Sequence, residues 1–140
     1  MENKDYDVVK SVESISQEQF EIAFQIEAIR DICYQAAHKA GWHTDNEGNL
    51  KEGNKGERIA LMHSELSEAL EAIRKGSYDD HLPHHKGEGV ELADCVIRIF
   101  DHCGRYDIPI GLLIMEKLNY NAKRADHKRE NREKPGGKAF

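Results

Sequence analysis

Two short acidic motifs are the residues best suited to chemistry in this chain: Glu65-x-x-Glu68 and Glu91-x-x-Asp94. Carboxylates three residues apart project from one side of a helix. Two such helices facing each other supply the hard oxygen ligands that Mg²⁺ prefers, with waters and substrate phosphates completing its octahedron. The spacing alone is common. Glu18/Glu21, Glu68/Glu71, Glu88/Glu91 and Glu130/Glu133 share it, as expected wherever glutamate decorates solvated helix faces. What singles out the first two pairs is the company they keep on their helices.

The elements that must position them are all helical. Ser16 and Gln19 read as a capping box. Phe20, Ala23, Phe24, Ile29, Ile32, Cys33, Ala36, Ala37 and Ala40 then recur at helical spacing until Gly41 stops the run. A polar, glycine-rich loop runs from Trp42 to about Gly56. A second helix spans about Glu57 to Lys75, with Gly76 as its stop and Ile59, Met62, Leu66, Ala69, Leu70 and Ile73 as its apolar stripe. After the loop 77–87, a third helix runs from about Glu88 to Cys103 and ends at Gly104. Pro109 opens a fourth, carried by Ile110, Leu113, Ile114 and Leu118 to about Asp126. No strand-like alternation competes. The expectation is an all-α, four-to-five-helix bundle in a single domain covering 1–140, with a loosely ordered segment at 1–15, the bundle at 16–126 and a basic tail at 127–140.

The third helix is apolar over roughly two-thirds of its circumference at about 100° per residue, so it is expected to be central. Its one polar stripe holds Glu91, Asp94, Arg98, Asp101 and His102. Arg98 and Asp101 are expected to orient the acidic ligands or to pair with each other. On the second helix, Glu65 and Glu68 border Leu61 and Ala72, at the edge of the packed surface. Two carboxylates about 6 Å apart repel by roughly 3 kcal/mol at an effective dielectric near 20. A divalent cation cancels that repulsion, whereas packing gives no reason to accept it.

Composition excludes several functions. The 140 residues carry a net charge of −6, which argues against nucleic acid or an anionic membrane as partner of the whole chain. The charge is uneven: from Lys117 onward Lys123, Arg124, Lys128, Arg129, Arg132, Lys134 and Lys138 outnumber Asp126, Glu130 and Glu133. With 39% hydrophobic and 33% charged residues, and a mean hydropathy of −0.75, the core is modest or completed by a partner subunit. Cys33, Cys95 and Cys103 form no CxxC and sit among apolar residues, which suits a reducing compartment. The start, MENKDYDVVK, lacks a signal-peptide stretch, and the longest apolar run, Ile108 to Met115, is too short for a bilayer. A soluble cytoplasmic protein is expected.

The runs GERIALMHSELSEALEAIRKG, GEGVELADCVIRIFDHCGRYDI and EKLNYNAKR, with 22 residues between Glu68 and Glu91, resemble the MazG-like nucleotide pyrophosphohydrolases of the all-α NTP pyrophosphatase superfamily. The likeness covers about residues 20–126, and the closing GGKAF is similar to the ending of small phage-type and bacterial members. The resemblance implies a bundle completed by dimerisation, as a homodimer or dimer-based oligomer. It also implies cleavage of (deoxy)nucleoside triphosphates between the α and β phosphates, to a monophosphate and pyrophosphate. Glu65, Glu68, Glu91 and Asp94 would then bind Mg²⁺, with Mn²⁺ as a substitute, and serve catalysis by polarising phosphoryl oxygens and activating water. Lys117 and Asn121, one helical turn apart, match the family's K-x-x-x-N phosphate-binding motif, with Arg124 a turn further and Lys123 assisting. Trp42 and His38 correspond to the region where relatives hold the base, although a tryptophan after a helix also packs its end. The loop histidines His81, His84 and His85 lack a cysteine or carboxylate set that would complete a transition-metal site. A di-iron bundle needs Glu-x-x-His motifs, and no glutamate here has histidine three residues later. A non-enzymatic helical adaptor, or a related hydrolase acting on dUTP or phosphoribosyl-ATP, are the alternatives.

Overall fold

The structure, a computed structural model, describes residues 5–136. Among these, helices α1 (Val8–Glu13), α2 (Gln17–Lys39), α3 (Lys55–Lys75), α4 (Gly87–Arg105), α5 (Ile110–Lys123) and α6 (Arg129–Arg132) form, with a 3-10 turn at Ala125–His127. Strand character among the described residues is limited to two isolated bridges, Thr44 with Leu50 and Tyr78 with Lys86. The all-helical reading therefore holds. No described helix is long and apolar enough to cross a membrane.

Helix boundaries follow local chemistry. Ser16 and Gln19 satisfy each other at the start of α2: the Gln19 amide donates to Ser16 Oγ at 3.2 Å and the Ser16 amide to Gln19 Oε1 at 3.0 Å. Asn54 caps α3 by accepting from the amides of Gly56 and Glu57. Gly76 closes α3 at φ 64°, a left-handed conformation that costs a residue without Cβ little. Gly104 differs from expectation. It does not stop α4, which runs on to Arg105. A Cβ at Gly104 would collide with the Cβ of Tyr34, so its bareness serves helix-to-helix approach rather than termination. Near the N-terminus, part of the segment expected to be loose is helical, because Asp7 caps α1 through the Lys10 amide. Residues 1–4 and 137–140, the latter holding most of the GGKAF ending, lie outside the described residues.

The described residues fall into two compact units. One comprises residues 5–28 and 109–136; the other is Ile29–Ile108. In the first, Ala23, Leu112 and Met115 form a small core with Ile15, Ile26 and Ile114 against it. Polar ties fasten it: Ser11 Oγ donates to Glu116 at 2.7 Å, Gln19 Nε2 to Asn119 at 2.7 Å, and the Gly111 amide at the start of α5 to Glu27 at 2.8 Å. The expected fourth helix ends at Lys123, three residues early, and the 3-10 turn takes over.

In the second unit α3 and α4 form the main helix pair. Met62, Ala69, Cys95 and Cys103 are buried there, and Cys95 Sγ donates to the Met62 carbonyl at 3.6 Å. The three cysteines are free thiols. Burial and then the Asp101 carboxylate push the Cys33 thiol pKa up, keeping it protonated. The apolar stripes are only half covered: Leu66, Leu70 and Ile73 of α3 and Leu92, Val96 and Ile97 of α4 remain exposed, Leu70 at 64%. The expected centrality of α4 is thus met in part, by its packing on α3 and by the approach of Tyr34 of α2 at Gly104.

Candidate metal centre

Glu65 lies nearly three turns into α3, bonded to Arg98 of α4, and is 6% exposed. Glu91 and Asp94 face it from α4. Each of the three offers an oxygen, and these oxygens all lie within 4.8 Å of one another, the one such group of three potential ligands among the described residues. Glu68 is outside that trio, yet near enough for its charge to act on Glu91. The Glu91 carboxyl is held above the usual carboxylate range, first by burial and then by Glu68, Glu65 and Asp94, with Asp79 adding to the effect. The donor set, all hard oxygen, fits Mg²⁺ or Mn²⁺ and offers nothing to a soft metal.

Part of the compensating charge comes from the chain. Arg98 Nε donates to Glu65 Oε1 at 2.6 Å. The sequence left open whether Arg98 and Asp101 orient the acids or pair with each other. Arg98 holds an acid of the cluster, whereas Asp101 turns to other partners. Arg58 Nη1 donates to Asp101 Oδ2 at 2.9 Å, and His43 Nε2 lies 2.5 Å from Asp101 Oδ1. Arg58 Nη2 also reaches His43 Nδ1 at 2.9 Å, closing a triangle. His43 is 1% exposed.

Glu65 and Asp94 also line a cavity of about 730 Å³ within the Ile29–Ile108 unit, well inside the size range of small-molecule sites. Small and apolar residues contribute to the lining, Cys33, Ala36 and Ala37 from α2 and Ala40 just after it, and Trp42 follows them. Lys51 to Asn54, Arg58, Arg98 and Asp101 complete the polar wall. Trp42 is 74% exposed, so it does not pack the end of α2. His38 is absent from the lining and instead meets the rings of Tyr34 at 5.8 Å and His43 at 6.4 Å.

Lys117, Asn121, Lys123 and Arg124 belong to the other unit. Lys117 and Asn121 share a shallow apolar groove of about 450 Å³ with Ile110, Leu113, Ile114 and Leu118, and Lys117 Nζ sits 4.5 Å from the Tyr120 ring centre. Asn121 Oδ1 is buried without a hydrogen bond. Arg124 is engaged by Asp126, with Nε to Oδ1 at 2.9 Å. Lys123 ends α5. The histidine loop between α3 and α4 is shaped by Asp79, which accepts from the His81 and Leu82 amides. The rings of His84 and His85 lie 4.1 Å apart there, and no group of three potential ligands forms among them.

His43 and Arg58 escaped the sequence reading. One signal for Arg58 was present: it lies seven residues before Glu65, as Asp94 lies seven before Asp101. Seven residues are about two turns, so each pair occupies one helix side. His43, in a loop, had no such signal. No protein-family model matches the chain, and no curated protein or solved structure is significantly similar to it.

Proposed function

We propose that the chain is a Mg²⁺-dependent nucleoside triphosphate pyrophosphohydrolase, cleaving (d)NTPs between the α and β phosphates to a monophosphate and pyrophosphate. The observation that carries this reading is the convergence of Glu65, Glu91 and Asp94 within 4.8 Å, two of them lining a cavity to whose lining small apolar residues and Trp42 also contribute. Such a site suits a ligand with an anionic end and a flat ring. The motif resemblance to the MazG-like enzymes supports the same conclusion from the side of sequence.

In this reading Glu65, Glu91 and Asp94 hold Mg²⁺ (or Mn²⁺), with Glu68 completing the acidic set. The bound cation would supply Lewis-acid chemistry to the phosphoanhydride and to the attacking water. The chain's own part is to position. Arg98 orients Glu65. The small side chains of α2 leave room for the sugar and base, and Trp42 offers a stacking face. Hydrolysis adds a water oxygen and its proton across the α–β anhydride, and pyrophosphate leaves. The exposed stripe of Leu66, Leu70, Ile73, Leu92 and Val96 supports pairing with a second copy, since contiguous apolar patches mark interaction surfaces. Light scattering on the eluting protein tests that pairing.

The activity test is direct. The purified chain is incubated with each NTP and dNTP in Mg²⁺, then in Mn²⁺, and pyrophosphate is measured. Release from at least one nucleotide is expected. Silence across the panel in both metals overturns the proposal.

A further inference from the structure

We infer that Asp101 is a positioning residue which, through His43 and Arg58, fastens the 41–54 segment as one wall of the cavity and so sets how tightly the ring-bearing end of a substrate is held. This rests on the nucleotide reading above and deepens it.

Three separate elements meet in the network: the loop after α2 supplies His43, α3 supplies Arg58 and α4 supplies Asp101. The proton positions follow from the partners. An arginine can only donate, so His43 Nδ1 accepts from Arg58 Nη2. The remaining nitrogen, Nε2, then carries the hydrogen and donates to Asp101 Oδ1. Asp101 Oδ2 accepts from Arg58 Nη1. Both carboxylate oxygens and both ring nitrogens are thereby engaged within the protein. The network holds geometry.

What it holds is the cavity wall. The His43 carbonyl accepts from the Lys51 amide at 2.9 Å, next to the Thr44–Leu50 bridge. Arg105 Nη2 donates to the Lys51 carbonyl at 2.9 Å. Lys51 to Asn54 therefore inherit their position from His43, and Trp42 is its immediate neighbour. All of these line the cavity. The Tyr34 ring, 5.1 Å from His43, closes the other side.

Asp101→Asn tests this on the full-length protein. An amide puts an NH2 where one carboxylate oxygen stood, so either Arg58 or His43 meets a donor in place of its acceptor. KM for the best nucleotide should rise about tenfold, while kcat changes by less than about threefold. Trp42, the only tryptophan, reports the wall directly: its steady-state fluorescence anisotropy should fall in the variant without nucleotide, as the wall gains freedom. His43→Ala, which leaves the Arg58–Asp101 pair in place, should give the same two changes. The double variant should be no worse than either single one, as for residues acting as a unit. A fall in kcat at constant KM, unchanged Trp42 anisotropy, or additive effects would overturn the inference. If the wild-type protein hydrolyses no nucleotide, the proposed function fails. The anisotropy arm then still decides: lowered anisotropy upholds the fastening of the wall, and unchanged anisotropy overturns it.

Discussion

Replacing Glu91 by Gln should shift stability in opposite directions with and without Mg²⁺. In the metal-free protein the Glu91 carboxyl is strained by burial and by its acidic neighbours. Two of those, Glu65 and Asp94, present oxygens within 4.8 Å. A pair of charges at that separation repels by about 1 kcal/mol in a water-like dielectric and about 3.5 kcal/mol at an effective dielectric near 20. Asp94 is exposed and Arg98 offsets Glu65, so the lower figure applies to each pair. Removing the Glu91 charge should then stabilise the metal-free protein by about 2 kcal/mol, or roughly 6 °C in Tm for a chain of this size. With Mg²⁺ at about 100 times its Kd, the wild type should gain about 2.7 kcal/mol. The variant, lacking a ligand, should gain far less, and the order of the two melting temperatures should reverse. Thermal unfolding followed by circular dichroism, in EDTA and across a Mg²⁺ series, reads both effects. A variant less stable than wild type in EDTA, or one that keeps the full Mg²⁺ shift, would refute the reasoning.

Asp94→Ala and Glu68→Ala should each abolish turnover while helix content stays near that of the wild type; substantial residual activity removes that residue from the ligand set. His102 supplies a pH dependence. Burial, then Arg58 and Lys55, lower its pKa below the ordinary 6.5. As pH falls through that value the unfolded chain takes up a proton that the folded chain refuses. Stability is therefore complete above about pH 6.5 and declines below it until the folded-state value is reached. Urea unfolding of His102→Gln should show a flatter profile in that window, and an unchanged profile would contradict the assignment. Gly104→Ala places a methyl group on Tyr34 and should cost about 1–3 kcal/mol, measured as a lower urea midpoint at constant slope.

Much of the fold was legible because helices announce themselves locally. The Ser16–Gln19 cap, the Lys55–Lys75 helix and the Gly76 stop all depend on residues within a few positions of one another. Gly104 misled for the same reason: a glycine after an apolar run resembles a terminator, and only the approach of Tyr34 from another helix gives its real role. The helix at Val8–Glu13 was hidden by the polar composition of its segment and is held by the Asp7 cap and by the Ser11–Glu116 bond to α5. In the site, Glu65, Glu91 and Asp94 were readable because each pair of turns places them on one helix face. The network around Asp101 was not, since His43 comes from a loop whose course depends on long-range bonds to α3 and α4. The two-unit organisation was equally out of reach, because the boundary at Ala28 and Ile29 falls inside the unbroken periodicity of α2.

The most direct measurement is phosphorus NMR of a nucleoside triphosphate incubated with the protein and Mg²⁺. The account predicts paired growth of nucleoside monophosphate and pyrophosphate signals, absent when EDTA is added. Appearance of nucleoside diphosphate with orthophosphate, or a spectrum unchanged at high protein concentration, would contradict it.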